Sequence, residues 1–246
     1  MVKILLILVV VLLIWKRGDL CSAIAKLLYA RGKTVSWKKW YDIAAKLGGM
    51  SFNNKLTNAY LLLKDGDIDK ANKLFALLSM ERLTAPQKFQ LKGAYALVFW
   101  KRGEVDAAIE MLEEVVQNTP TTSVYGSLGY MYIYNGNLSK ALEFNLEAYE
   151  YNDTNAIIID NLAYTYYKCG EFEKSKEFYE KLLEMNPTFP EAYYGYACLL
   201  AETGNAEKGI EMAQKALNSE FSFLTMINKQ EISEFLADLQ NTPSNE

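Results

Sequence analysis

The side chains that usually carry catalysis are scarce in this sequence. Histidine is absent from its 246 residues, which removes the commonest general base and the commonest metal ligand together. The three cysteines, Cys21, Cys169 and Cys198, lie far apart and form no C-x-x-C pair. An odd, dispersed set suits neither a disulfide framework nor a thiolate zinc site, and reads as reduced thiols. Glu113-Glu114 and Glu171/Glu173 pair carboxylates that could share a proton in acid–base chemistry. They fall on faces that the local pattern makes polar helix surface, so they are expected to be solvated. No Gly-rich phosphate loop, nucleophile elbow or metal-ligand cluster is present. The chain is therefore expected not to be an enzyme and to need no cofactor. Its conspicuous resource is aromatic: 17 tyrosines, 11 phenylalanines and four tryptophans.

Charge is unevenly spread. The net charge is −4, yet residues 16–46 carry eight basic side chains against Asp19 and Asp42, a local +6. That basic stretch could lie against anionic lipid or form an ordinary solvated face. The remainder of the chain is acidic, which argues against nucleic-acid binding.

Immediately before this stretch runs an unbroken apolar series: Ile4, Leu5, Leu6, Ile7, Leu8, Val9, Val10, Val11, Leu12, Leu13, Ile14 and Trp15. As a helix, residues 1–15 would reach roughly 22 Å, short of the roughly 30 Å hydrocarbon core of a bilayer. Snorkelling of Lys3 and Lys16 could close that gap, and Trp15 stands where an interfacial aromatic belongs. Residues 1–17 are thus expected to be an apolar membrane-anchoring helix. Lys16 and Arg17 on its carboxyl-terminal flank place the rest of the chain in the cytoplasm. Two alternatives stand beside it. One is a signal peptide whose removal leaves an extracellular protein, although Lys16, Arg17 and Asp19 occupy what should be a neutral cleavage region. There the small-x-small triplet Ala23-Ile24-Ala25 would be the cleavage site. The other is a buried helix.

The elements that must position any functional side chain are set by a repeat. Gly32, Gly66, Gly103, Gly136, Gly170 and Gly204 are separated by 34, 37, 33, 34 and 34 residues. Each lies between two apolar series with the three-and-four spacing of an amphipathic helix. Tyr125, Leu128, Gly129 and Tyr132 precede Gly136, for example, and Leu138, Ala141, Leu142 and Ala148 follow it. A glycine there permits the left-handed conformation that ends a helix. Pro120 and Pro187 close two of the units. A fixed period of this length marks a stacked repeat architecture.

These residues resemble the tetratricopeptide repeat family over roughly residues 18–220. The unit starting at Ala156 supplies Ile159, Leu162, Ala163, Tyr166, Gly170, Tyr179 and Pro187, with Ser175 and Leu182 at sites where small residues are usual. The unit from Thr122 supplies Tyr125, Leu128, Gly129, Tyr132, Ala141 and Ala148, with Asn145 at a site that is usually aromatic. The units from Pro190 and Phe89 match less fully, and the one near Phe52 keeps Ala59, Leu62, Gly66, Ala71 and Phe75. Around Gly32 the pattern is degenerate, with Trp37 where alanine is usual. The resemblance implies an all-α, right-handed α-solenoid of about five to six helix-turn-helix repeats. Residues 18–50 would form a degenerate first repeat or amino-terminal cap, 51–220 the repeat array, 221–240 a carboxyl-terminal capping helix and 241–246 a disordered tail.

The resemblance also implies a site. In that family the first helix of each unit lines a concave groove that holds other proteins. Matched positions here are Tyr60 and Leu63, Leu97 and Trp100, Tyr130, Ile133 and Tyr134, Asp160, Tyr164 and Tyr167, and Tyr194. Leu56 and Cys198 join them, with Lys64, Lys101 and Lys168 as charged markers. The lysine and asparagine that some members use to clamp a terminal carboxylate are missing. The expected function is a membrane-anchored protein–protein interaction scaffold that takes an extended or helical apolar segment of a partner. An alternative is that many of these tyrosines are buried between repeats.

Overall fold

The computed structural model describes residues 16–241. Within them are thirteen α-helices: α1 Arg17–Ala30, α2 Thr34–Leu47, α3 Phe52–Lys64, α4 Ile68–Ser79, α5 Ala85–Lys101, α6 Val105–Asn118, α7 Thr122–Tyr134, α8 Leu138–Tyr151, α9 Ala156–Lys168, α10 Phe172–Glu184, α11 Pro190–Glu202, α12 Ala206–Leu217 and α13 Lys229–Asn241. The chain divides within α5 into two compact units, Met1–Ala94 and Tyr95–Glu246. The apolar run at 4–15, expected to be an anchoring helix, lies outside the described residues. Among those described, no helix is long and apolar enough to cross a membrane.

In the first unit α1 pairs with α2 and α3 with α4. Trp37, in place of the usual alanine, is fully buried and packs edge-on against Tyr29 at 5.5 Å and Tyr41 at 6.0 Å. Asp19 ties this hairpin to the next. Its carboxylate accepts from the Ser51 backbone N–H at 2.7 Å and the Asn54 side-chain amide at 2.6 Å. Against the cost of burial, those donors hold the carboxyl down at about 2.

In the second unit each first helix packs on its own second helix, α7 on α8, α9 on α10 and α11 on α12. The first helices also touch one another, α7 on α9 and α9 on α11. The ruler glycines end the first helices. Gly170 takes φ 78°, and the Glu171 N–H turns back to the Tyr166 carbonyl at 3.0 Å, satisfying an orphan helix-end acceptor. Asn137, Asn155 and Asn205 then cap α8, α9 and α12 with side-chain oxygens.

Small residues allow the helices to approach closely, and buried polar side chains occupy the seams. Asn161 donates to the Gly126 carbonyl at 2.8 Å. Asn145 donates to the Gly129 carbonyl at 3.3 Å and to the Thr165 hydroxyl at 3.1 Å. The Thr165 hydroxyl donates to the Asn161 carbonyl at 2.6 Å. Asparagine thus replaces the usual aromatic at 145 because it bonds to backbone where α7 comes within reach. Ser175 fits a small-residue site because its hydroxyl donates to the Ala163 carbonyl at 2.9 Å.

The capping helix differs from expectation. It begins at Lys229 rather than near 221, and residues 219–228 run as turns between α12 and α13. Serine and threonine explain the difference, because their side chains bond to local backbone in competition with helix. Thr225 Oγ1 accepts from the Ser222 N–H at 2.9 Å, and Ser222 Oγ accepts from the Leu224 N–H at 3.2 Å. Within 221–240, Ile232 is fully buried, while Phe223 is 37% exposed.

Two glycine substitutions separate close packing from backbone strain. A Cβ on Gly129 would meet Asn145 Oδ1 at 2.0 Å, whereas one on Gly170 meets nothing within 4 Å. By overpacking, Gly129→Ala should cost roughly 2–3 kcal/mol. Gly170→Ala should cost about 1 kcal/mol through its left-handed backbone alone. Adding Asn145→Ala to Gly129→Ala should cost less than the two singles together, because the collision is removed. Urea unfolding of the four variants checks this.

Candidate functional site

The first-helix face of the second unit is built from α7, α9, α11 and the carboxyl-terminal end of α5. Helical spacing of three and four residues puts Tyr130 with Tyr134 and Tyr164 with Tyr167 on neighbouring turns. Trp100 meets Tyr130 edge-on with ring centroids 5.9 Å apart, a favoured arrangement for two aromatic quadrupoles. The Tyr164 and Tyr167 rings lie 5.9 Å apart, and Tyr194 packs edge-on against Phe235 of α13 at 5.3 Å.

The expected residues differ in how far they reach the surface. Tyr134 is 60% exposed, and Tyr130, Tyr164, Tyr167 and Tyr194 are half-buried. Leu63, Leu97 and Ile133 are buried, as is Trp100. The expectation that Leu63, Leu97, Trp100 and Ile133 offer contact surface is therefore corrected. Tyr60, 36% exposed, belongs with Leu63 to the first unit.

Asp160, expected to line the groove, is buried instead. It is 7% exposed, and its Oδ1 has no hydrogen-bond partner. Burial, reinforced by the Glu191 charge, pushes its carboxyl well above the usual carboxylate range. Burial likewise pushes Glu191 up, against the pull of the Met226 N–H and of Lys101. The Met226 N–H donates to Glu191 Oε1 at 2.8 Å. Burial pushes Lys101 down, and Glu191 opposes that shift. Its ammonium stands 5.1 Å from the Trp100 ring centroid and 4.9 Å from that of Phe223. Burial, with smaller help from Cys198, Tyr167 and Asp160, raises the Tyr164 hydroxyl to about 12. Burial also raises the Cys198 thiol to about 11, leaving it a poor nucleophile at neutral pH. The face is aromatic, with two carboxyls and one ammonium drawn partly out of water.

Sequence reasoning missed Glu191 and the segment 221–227. The signal available for the segment was the Phe-Ser-Phe alternation at 221–223, which has period two rather than 3.6. The paired carboxylates also need correction. Glu113 is not merely solvated, because it accepts from the Tyr132 hydroxyl and the Lys140 ammonium, each at 2.6 Å. The Lys140 bond first, and the Tyr132 bond second, hold its carboxyl below the usual range. Glu171 makes an exposed ion pair with Lys174 at 2.5 Å. Among the described residues no group of three or more His, Cys, Asp or Glu side chains is placed to hold a metal ion.

Comparison with known proteins agrees with this architecture. Models described as tetratricopeptide repeat match residues 56–123 and 96–156, then 158–189, then 178–211. A crystal structure of a tetratricopeptide repeat protein from Parabacteroides merdae is similar, with TM-score 0.72 and 15% identity over 91% of this chain and 84% of that one. A thermophilic repeat protein of Thermus thermophilus matches with TM-score 0.62 and 22% identity over 77% of this chain and 99% of its own. PilF of Pseudomonas aeruginosa matches with TM-score 0.62 and 15% identity over 90% and 97%. At these identities the likeness is one of fold. No curated protein sequence matches the chain.

Protonation of Asp160 makes stability depend on pH. A carboxyl raised in the folded state lets that state hold more protons than the unfolded one, so stability falls as pH rises above about 4. Asp160→Asn removes this dependence. Measured by urea unfolding, its stability relative to the unchanged protein should rise between pH 5 and pH 8. An equal difference at both pH values would show that Asp160 is not buried as described.

Proposed function

We propose that this chain, which belongs to the tetratricopeptide repeat family, is an interaction scaffold that holds a segment of another protein on its first-helix face. Members of this family generally mediate protein–protein interactions. The observation that carries the reading is the face formed by Tyr130, Tyr134, Tyr164, Tyr167 and Tyr194 beside the Lys101 ammonium and the Glu191 carboxyl. Tyrosine gives large contact area with few rotatable bonds, and partly desolvated charges give register. No reaction is proposed, because histidine is missing and the one half-buried thiol on this face is held protonated.

The scaffold is anchored to a membrane by the apolar residues 4–15, with the repeats on the cytoplasmic side. Lys16 and Arg17 support that orientation. The packing of α1 favours retention over cleavage. Removing the chain up to Ala25 would delete Asp19 with its bonds to Ser51 and Asn54, and would take the fully buried Ala25 with it. The alternative, an extracellular protein released by signal cleavage, predicts a mature chain beginning near Lys26.

Affinity capture from detergent-solubilised membranes tests the reading. The full chain should retain a partner that a Tyr134→Ala/Tyr167→Ala variant loses, with circular dichroism unchanged. A contact hot spot is worth about 2 kcal/mol or more, so the loss should reach roughly 30-fold. Retention of the same proteins by both chains would contradict the site. The mass of the chain recovered from the membrane fraction decides between anchor and released protein.

A further inference from the structure

The segment 219–228 leaves α12 and returns across the first-helix face. At its start the Glu220 N–H donates to the Thr188 carbonyl at 2.9 Å, beside the amino-terminal end of α11. In its middle the Phe223 ring lies under the Lys101 ammonium, which belongs to the end of α5, and Trp100 flanks the same ammonium. Further on, the Met226 N–H donates to the Glu191 carboxyl of α11. Lys101 and Glu191 are far apart in sequence but close enough to influence one another's charge. One short stretch of irregular chain thus engages both charged groups of the face. It does so with the two features a bound peptide would offer, an aromatic side chain and a backbone donor.

Its composition is that of a ligand rather than of a connecting loop. Phe221, Phe223, Leu224, Met226 and Ile227 make five of seven residues apolar. Phe221 and Ile227 pack against the core of the last repeats, so they fasten the two ends. Phe223 is not part of that core and keeps 37% exposure. The central portion is shaped by the local bonds of Ser222 and Thr225 and meets the face through Phe223 and the Met226 N–H, while Phe221 and Ile227 hold it nearby.

We propose that residues 222–226 are a built-in occupant of the binding face, and that the partner is an extended aromatic–aliphatic peptide segment of the same chemistry which displaces them. Such a segment places a phenyl ring under Lys101, where a cation–π contact forms, and a backbone N–H against Glu191. Because the internal segment is tethered, its local concentration is in the millimolar range. Only a partner that binds better than this competitor, or that is itself concentrated at the membrane, gains the face. This inference rests on the scaffold reading and assigns its ligand class.

The test uses the full chain with residues 222–226 replaced by a five-residue Gly-Ser linker, leaving Phe221 and Ile227 in place. The probe is a fluorescein-labelled peptide with the sequence of residues 219–228, followed by anisotropy. The linker variant should bind the probe at least ten-fold more tightly than the unchanged chain, and Lys101→Ala in the linker background should weaken it several-fold. A second variant, Phe223→Ala, alters no core residue and should give a smaller gain in the same direction. A folded linker variant that binds the probe no better than the unchanged chain overturns the proposal. So does binding that is indifferent to Lys101. Probe binding without any partner in the capture experiment would sink the scaffold reading while leaving the internal occupant intact. A captured partner with no probe binding would do the reverse.

Discussion

The close approach of α7, α9 and α11 is the constraint on which the rest depends. These helices can lie side by side only where their contact positions are small, as at Gly126 and Gly129, and where the polar groups exposed by that approach find partners. Asn161 and Asn145 supply them by donating to the Gly126 and Gly129 carbonyls. Buried amides with bonds on offer stabilise the stack, whereas unpaired ones would cost as much as they contribute. Leu128, Ile158, Ile159 and Leu162 of α7 and α9 are fully buried, each worth about 2 kcal/mol. With the helices fixed, every first-helix position has a defined outlook, and the tyrosines have no choice but to share one face.

That face carries a cost as well as a capacity. Asp160 and Glu191 are both held partly out of water, and the Lys101 ammonium is close enough to influence Glu191. A surface arranged for folding alone would be expected to place such groups in solvent. The segment 219–228 offsets part of the cost by giving Glu191 a backbone donor and giving the Lys101 ammonium a ring to cover. A partner peptide would do the same, which is why occupancy from within and occupancy from without can compete for the same groups.

The architecture was legible in the sequence because it is periodic. The six glycines at near-equal spacing mark turns that the structure realises with φ values from 67° to 90°, and the helices fall between them. The site was legible only in part. Tyr130, Tyr164, Tyr167 and Tyr194 follow from helical position, but whether a side chain there emerges depends on what packs around it, so that Trp100 and Ile133 are buried while Tyr134 is exposed. Asp160 matched a groove-lining position and is buried, because pattern alone does not report burial. Asn145 and Ser175 looked like departures from the repeat and prove to be hydrogen-bonded seams. The apolar content of 221–228 suggests the start of the capping helix, but the side-chain bonds of Ser222 and Thr225 hold the segment as turns. Residues 4–15 remain readable only as sequence.

The central claim is that residues 219–228 are held on the first-helix face rather than looping free. Hydrogen exchange of the backbone amides in that segment, followed by mass spectrometry on the full chain, tests it most directly. The account predicts that the Glu220 and Met226 amides exchange about 100-fold more slowly than an unstructured chain, and that protection at Met226 falls when Glu191 is replaced by alanine. Exchange of the whole segment at the unprotected rate would contradict it.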